Sequence, residues 1–273
     1  MNPWISTIGI KSGGLPSCET IFHGMKEVPG YAPLDFEWIT DEEDRYVFRT
    51  PQATLAVSLL KTDENPDSAV LTTDELISAC KRAWHWPEAG MQMLKMNRQI
   101  AVAIRPELSE EKGLDPLDVA LLMNCLILSL LKNTEAVGVY WNHSGKIIMP
   151  EDFISRSEGM NRKMLPVDLW VDFRMVPHPE EKTISFGTFG MERFSLMEME
   201  VSHSQRDPRW VMNWMFNLAH SLIENGMILQ EKQTFGLSED EKFFVTHEKP
   251  LPEMERGYVA DVLQLHFDEP VPE

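Results

Sequence analysis

From Val119 to Leu131 the chain is apolar on nearly every side of a helix, with only Asn124, Cys125 and Ser129 as small interruptions. A helix that is apolar all round is buried all round, so this segment is expected at the centre of a core. Asp115-Pro116 supplies its start. An Asp side chain accepts from the orphan N–H groups, a proline in the first turn gives up no hydrogen bond, and Asp118 faces the positive end of the helix dipole. Lys132-Asn133 supplies the stop. Ala136 to Trp141 then reads as a core strand, Asn142-His143-Ser144-Gly145 as a turn, and Lys146 to Met149 as the returning strand.

The other elements follow from shorter patterns. Trp4 to Ile10 is expected to be a strand, followed by a Gly/Pro/Ser loop from Lys11 to Thr20 that carries Cys18. Leu34–Ile39 and Tyr46–Arg49 suit a hairpin across Thr40–Asp44, and Leu55, Val57 and Leu59 share one face of a strand over 53–61. An acidic loop, Thr62 to Ala69, leads to a helix announced by the capping pair Thr72 and Glu75, with Leu76, Cys80, Ala83 and Trp84 as its core stripe. Gln99–Arg105 reads as the next strand, with Pro106–Gly113 as a connection, and Pro150–Ser157 reads as a short helix. The clearest alternation runs from Pro166 to Val176. Val167, Leu169, Val171, Phe173 and Met175 point one way; Asp168, Trp170, Asp172 and Arg174 point the other. Further strands are expected over 183–189, 192–201, 242–247 and 258–267, with a long helix from Asp207-Pro208 to the stop Asn225-Gly226 and an acidic tail at the end.

This mixture implies an α+β fold in which long buried helices pack on mostly antiparallel sheet. The helices opening at Asp115 and Asp207 correspond without a gap: Val119 with Val211, Met123 with Met215, Leu126 with Leu218, and Asn133 with Asn225. The correspondence points to an internal duplication, two related α/β-sandwich halves at 53–160 and 161–273, preceded by a strand and loop extension at 1–52. The same elements can also pack as one compact domain.

Composition narrows the function classes. The formal charge is −18, from 43 acidic and 25 basic side chains. Nucleic-acid binding relies on Lys and Arg neutralising phosphates, and anionic membrane surfaces attract basic segments; neither partner is expected. A basic protein is the partner that charge favours. Three cysteines at unrelated spacings, Cys18, Cys80 and Cys125, suggest no disulfide framework. No basic-then-apolar leader is visible, and the central helix is too short to span a bilayer, so a cytoplasmic protein is expected.

Candidate chemistry is sparse. Eight histidines are scattered, with no HExxH pair and no cysteines at metal-ligand spacing. Gly13-Gly14 follows Lys11 without a phosphate-loop pattern, and no GxSxG elbow occurs. No metal and no cofactor are therefore expected. The most suggestive surface is the strand face Asp168, Trp170, Asp172 and Arg174, an aromatic anchor among charges, with Trp141 and His143 at a strand end as a second part. An enzyme would have to be a hydrolase or transferase assembled from dispersed residues such as Cys18, His143 and Asp168.

Several segments together resemble the domain of unknown function 4261 family. They are Asp115-Pro116 opening an apolar helix, Val139-Tyr140-Trp141 with Pro150 and Phe153, Leu165-Pro166 with Leu169-Trp170-Val171, Leu222 to Gly226, and Val245-Thr246-His247-Glu248. The resemblance runs from about Ala53 onward and implies a bacterial intracellular protein. It brings no catalytic residues with it. The expected function is that of a non-enzymatic protein-binding module, a toxin-neutralising (immunity-type) or other regulatory partner.

Overall fold

A computed structural model of the chain describes residues 2–28, 36–62, 69–107, 114–236, 242–257 and 260–267. Leu34 and Asp35 of the expected first hairpin, most of the acidic loop 62–69, most of the 106–113 connection and the acidic tail lie outside the described residues. The fold is α+β, with helices and two mostly antiparallel sheets in two compact units, Met1–Trp170 and Val171–Glu273.

In chain order the first unit contains β1 (Trp4–Ile10), α1 (Cys18–Lys26), β2 (Glu37–Glu42), β3 (Arg45–Arg49), β4 (Ala53–Leu60), α2 (Thr73–Arg82), α3 (Ala89–Met93) and β5 (Arg98–Pro106). It continues with α4 (Pro116–Lys132), β6 (Ala136–Trp141), β7 (Lys146–Ile148), α5 (Pro150–Glu158) and α6 (Val167–Trp170). Its sheet is antiparallel throughout, in the order β2-β3-β4-β5-β1-β6-β7. The strand β1 fills the place between β5 and β6. The described residues among the first 52 are thus integral to the unit rather than an extension, because without β1 the sheet would split in two. Nor is there a boundary near 160: Asn161 and Met164 form a bridge, and the unit runs on to Trp170.

The helix α4 is the one the apolar run predicts, capped by Asp115, whose side chain accepts from Asp118 N–H at 2.7 Å. Its small polar residues are each used. The Ser129 hydroxyl donates to the Ile21 carbonyl of α1 at 2.8 Å, and Asn124 donates to Ser157 Oγ of α5 at 2.8 Å. Cys18 is not in a loop. Ser17 caps α1, and Cys18, Ile21 and Met25 form its buried stripe at helical spacing.

On β6, Gly138 has no room for a side chain: a Cβ there would overlap Met93 Sδ. That close approach seats α2 and α3 on the sheet through a core of Leu71, Ala79, Ala83, Trp86, Ala89 and Met93 against Val137, Tyr140 and Ile147. The Thr72–Glu75 capping box is present. The expected stripe needs one change, because α2 ends at Arg82 and Trp84 turns outward while Trp86 takes the core position.

The second unit contains β8 (Asp172–His178), β9 (Thr183–Phe189), β10 (Met199–Ser204), α7 (Pro208–Asn225), β11 (Thr234–Gly236), β12 (Lys242–Glu248) and β13 (Val262–His266). Its sheet order is β11-β12-β13-β10-β9-β8, antiparallel except where β13 runs parallel to β10. Trp210 and Trp214 of α7 meet Phe243 edge-on, with ring centroids 5.7 and 5.3 Å away.

The duplication is not supported. The helix α4 leads from β5 into β6, one strand further along the sheet beyond β1, whereas α7 leads from β10 to the edge strand β11, beyond β13 and β12. The inserted strand is antiparallel to β5 in one unit and parallel to β10 in the other. What the two helices share is capping chemistry, an Asp that accepts from the first-turn N–H groups followed by a proline.

Candidate functional site

The alternating stretch 166–176 does not form one strand. Its first half is the helical turn α6, closed by Leu169 N–H to the Pro166 carbonyl at 2.9 Å, and the strand begins only at Asp172. The expected face is therefore broken: Asp168 and Trp170 belong to the helical turn, and only Asp172 and Arg174 stand together on the strand. Trp170 is wholly buried and donates its indole N–H to Asn124 Oδ1 at 2.7 Å. Asp168 faces Arg156, 3.4 Å away, while Asp172 pairs with Arg174 at 2.7 Å. Trp141 is buried as well, and His143 Nε2 accepts from Ile5 N–H at 2.9 Å.

The dispersed trio fares no better. Cys18 lies buried on the first turn of α1, while His143 stands in the β6–β7 turn and Asp168 on α6 facing Arg156. Burial pushes the Cys125 thiol up to about 12 and the Cys80 thiol upward too, so neither offers a thiolate.

A denser polar network occupies one face of the second sheet. Opposed residues of antiparallel strands share a face, and the register aligns Arg174, Gly187 and Glu200 across β8, β9 and β10. The segment from Leu251 to Arg256 closes over it. Glu200, with no exposure, accepts from Arg256 Nε at 2.6 Å and from Leu251 N–H at 2.7 Å. The Arg256 guanidinium lies 4.1 Å from the centre of the Phe189 ring, and that of Arg174 lies 3.4 Å from it. Gly187 makes this possible, since a Cβ there would come within 3.1 Å of Arg256 Nη2 and 2.8 Å of Met254 Sδ.

Glu198 is buried nearby. It accepts from Thr188 Oγ1 at 2.8 Å, Gly190 N–H at 2.7 Å and Glu192 N–H at 3.4 Å. Burial nevertheless raises its carboxyl from an ordinary 4.5 to about 7, against the lowering by Arg256 and these donors. The folded chain thus holds a proton between about pH 4.5 and 7 that the unfolded chain has released. Stability from this group is greatest below that window and declines as pH rises through it, by about 3 kcal/mol in all. Glu198→Gln should remove that slope. Urea titrations of both proteins at pH 5 and pH 8 check it: the parent should lose stability relative to the variant at the higher pH, and parallel curves would refute the assignment.

Beyond this network, His178 and His203 of the same sheet meet Glu253 of the 3-10 turn Pro252–Met254. Their rings and carboxylate are all partly exposed. His178 Nε2 and His203 Nε2 lie 3.6 and 3.7 Å from Glu253 Oε1. The histidine rings stack with centroids 4.2 Å apart. Ser185 Oγ, wholly buried, donates to Glu253 Oε1 and lies 2.9 Å from His178 Nε2. Its burial and that donation leave it unfit as a nucleophile. Sequence spacing gives no hint of this group, because the residues lie on β8, β10 and the 3-10 turn Pro252–Met254.

The first unit carries a different kind of surface. Among the described residues nine large hydrophobic side chains are exposed, and four belong to the α2–α3 segment: Ile77, Trp84, Met91 and Leu94. Beside it lies a cavity of about 440 Å³, whose lining includes His85, Trp86, Pro87 and Glu88 together with Lys11 and Glu151. Arg82 and His85 fix this corner to the β6–β7 hairpin through the Gly145 and Ile147 carbonyls, each at 3.0 Å. No helix among the described residues is long and apolar enough to cross a membrane.

Residues 187–261 match the family described as Domain of unknown function (DUF4261), the family that the sequence resembles. The matched span contains Glu198, Glu200, His203, Glu253 and Arg256. No curated protein and no solved structure matches the chain.

Proposed function

We propose that this chain is a non-enzymatic binding partner of a basic protein, toxin-neutralising or regulatory in kind, and that it docks that partner on α2–α3. The observation that carries the reading is the doubled apolar character of this segment. One face of α2–α3 already buries Ala79, Ala83, Trp86 and Met93 against the sheet, yet Ile77, Trp84, Met91 and Leu94 remain in water. A helix needs only one apolar stripe to hold its place, and Trp and Met are enriched where partners dock.

Charge selects the partner. Glu88 and Glu151 rim the adjoining cavity against the single Lys11, which suits a cationic side chain entering beside an apolar contact. A second copy of this chain would bring another charge of −18, so self-association is opposed by repulsion.

Affinity capture from the native host, with the parent chain and Trp84→Ala run side by side, tests the reading. A basic protein should be retained by the parent. Its affinity should fall about 30-fold with the variant, the effect of losing an anchor worth about 2 kcal/mol. Folding stability should change by less than about 0.5 kcal/mol, because the side chain is exposed. Capture that is identical for the two proteins, or a partner that is acidic, would refute the proposal.

A further inference from the structure

We infer that His178, His203 and Glu253 form a binding site for a divalent transition cation of the zinc type. This reverses the expectation drawn from spacing, and it is independent of the partner-binding surface on the first unit.

Three observations converge. The first is donor chemistry and geometry. Two imidazole nitrogens and one carboxylate oxygen lie within 4.8 Å of one another, and the two nitrogen-to-oxygen edges are 3.6 and 3.7 Å. Zinc bonds of about 2.0–2.2 Å in a tetrahedron require ligand edges of about 3.3–3.6 Å, so each nitrogen already stands near the required distance from the carboxylate, and the nitrogen-to-nitrogen edge, within 4.8 Å, is the one that closes, by rotation of the stacked rings. Two histidines and one glutamate with a side open to solvent is a known zinc donor set, with water completing the shell.

The second is the orientation of His203. Its Nδ1 lies 2.7 Å from Glu181 Oε2, which fixes Nδ1 as the protonated nitrogen. That leaves the lone pair on Nε2, the atom facing Glu253. In a neutral ring this arrangement sets a lone pair against a carboxylate, a conflict that a metal ion between them, or a second proton on the ring, resolves; His178 Nε2, 2.9 Å from the Ser185 hydroxyl that donates to Glu253, would exchange that contact for the metal. A carboxylate on the far nitrogen is also how ligating histidines are commonly held.

The third is the backbone. His203 has φ of +44°, in the left-handed region, at the register shift of β10 between Val201 and Ser204. Such a conformation costs a non-glycine residue free energy, and a bulge re-aims a side chain. Here it turns the His203 ring onto that of His178. Lys182, with φ of +54°, makes the tight β8–β9 turn that carries Glu181. A bound cation would join β8, β10 and the Pro252–Met254 turn, fastening the covering segment to the sheet.

The test uses the full chain without an affinity tag, titrated calorimetrically with zinc, with cobalt as a spectroscopic stand-in. One equivalent of zinc should bind and raise the melting temperature, and cobalt should show the visible absorption of a low-coordinate nitrogen and oxygen site. Glu253→Gln should abolish stoichiometric binding. His203→Asn should do the same, asparagine being chosen because it tolerates positive φ. Glu181 is exposed and not a ligand, so Glu181→Gln should fold normally and weaken binding about 10- to 100-fold. That variant decides the matter if either ligand variant fails to fold. Absence of stoichiometric binding by the parent chain would overturn the inference. So would binding that Glu253→Gln and Glu181→Gln leave unchanged, since it would then belong to the acidic surface at large.

Discussion

Arg256→Met is expected to destabilise the second unit by about 3–5 kcal/mol, one of the two largest losses expected from a single substitution in this chain. Glu200 is wholly buried and the Arg256 side chain nearly so, and they meet at 2.6 Å. Removing the guanidinium leaves a carboxylate with no access to water and, among the described residues, the Leu251 N–H as its donor. The second buried acid, Glu198, also loses the positive charge that lowers it. Packing over Phe189 disappears at the same time. The cause can be separated from simple loss of volume. Adding Glu200→Gln to the methionine variant should restore most of the stability, because an uncharged amide still accepts from Leu251 and needs no counter-ion. Urea denaturation of the parent and the three variants, including Glu200→Gln alone, measures the coupling. A double variant no more stable than Arg256→Met would mean that packing, not charge, accounts for the loss.

The sequence is most legible where local and global signals agree. The central helix α4 could be placed to the residue, because its apolar run and its Asp-Pro start state one solution at every level, local and global. The hairpin β6–β7, the capping box of α2 and the strand β9 are legible for the same reason. The stretch 166–176 is not. Val167, Leu169 and Val171 alternate with Asp168, Trp170 and Asp172, which fits a strand, but Val167, Trp170 and Val171 equally fit one helical turn. The choice depends on whether Trp170 counts as apolar or as a surface anchor, and burial by α4 and α5 decides it.

The histidine–glutamate group is illegible for a different reason. Its members are brought together by the register of three strands, a bulge and the turn that carries Glu253, and nothing in the spacing of His178, His203 and Glu253 encodes these. Two of the positive-φ residues, Lys182 and His203, are neither glycine nor asparagine, so nothing in the sequence announces them. The comparison of α4 with α7 shows the opposite hazard. Their shared capping residues correspond over a whole helix although the sheets around them are ordered differently, because helix ends admit few solutions.

Trp170→Ala is expected to cost about 3–5 kcal/mol of folding stability, rather than to weaken a partner while sparing the fold. Two terms add. The indole is among the largest side chains with no exposure, so truncation opens a cavity that the helices α4 and α5 can close only in part. Its N–H is also the donor to Asn124 Oδ1, in a chain that continues from Asn124 Nδ2 to Ser157 Oγ, with all three residues fully buried. Losing that donor strands an acceptor in the interior, at a cost of about 1–3 kcal/mol. Trp170→Phe isolates the second term, since the ring fills most of the space but donates nothing. Asn124→Leu combined with Trp170→Phe removes the stranded oxygen and should recover part of the loss, though Ser157 then gives up its own donor. Thermal and urea unfolding of the three variants distinguish these contributions. An unfolding midpoint for Trp170→Ala equal to that of the parent would place the side chain at the surface and restore it as a contact for a partner.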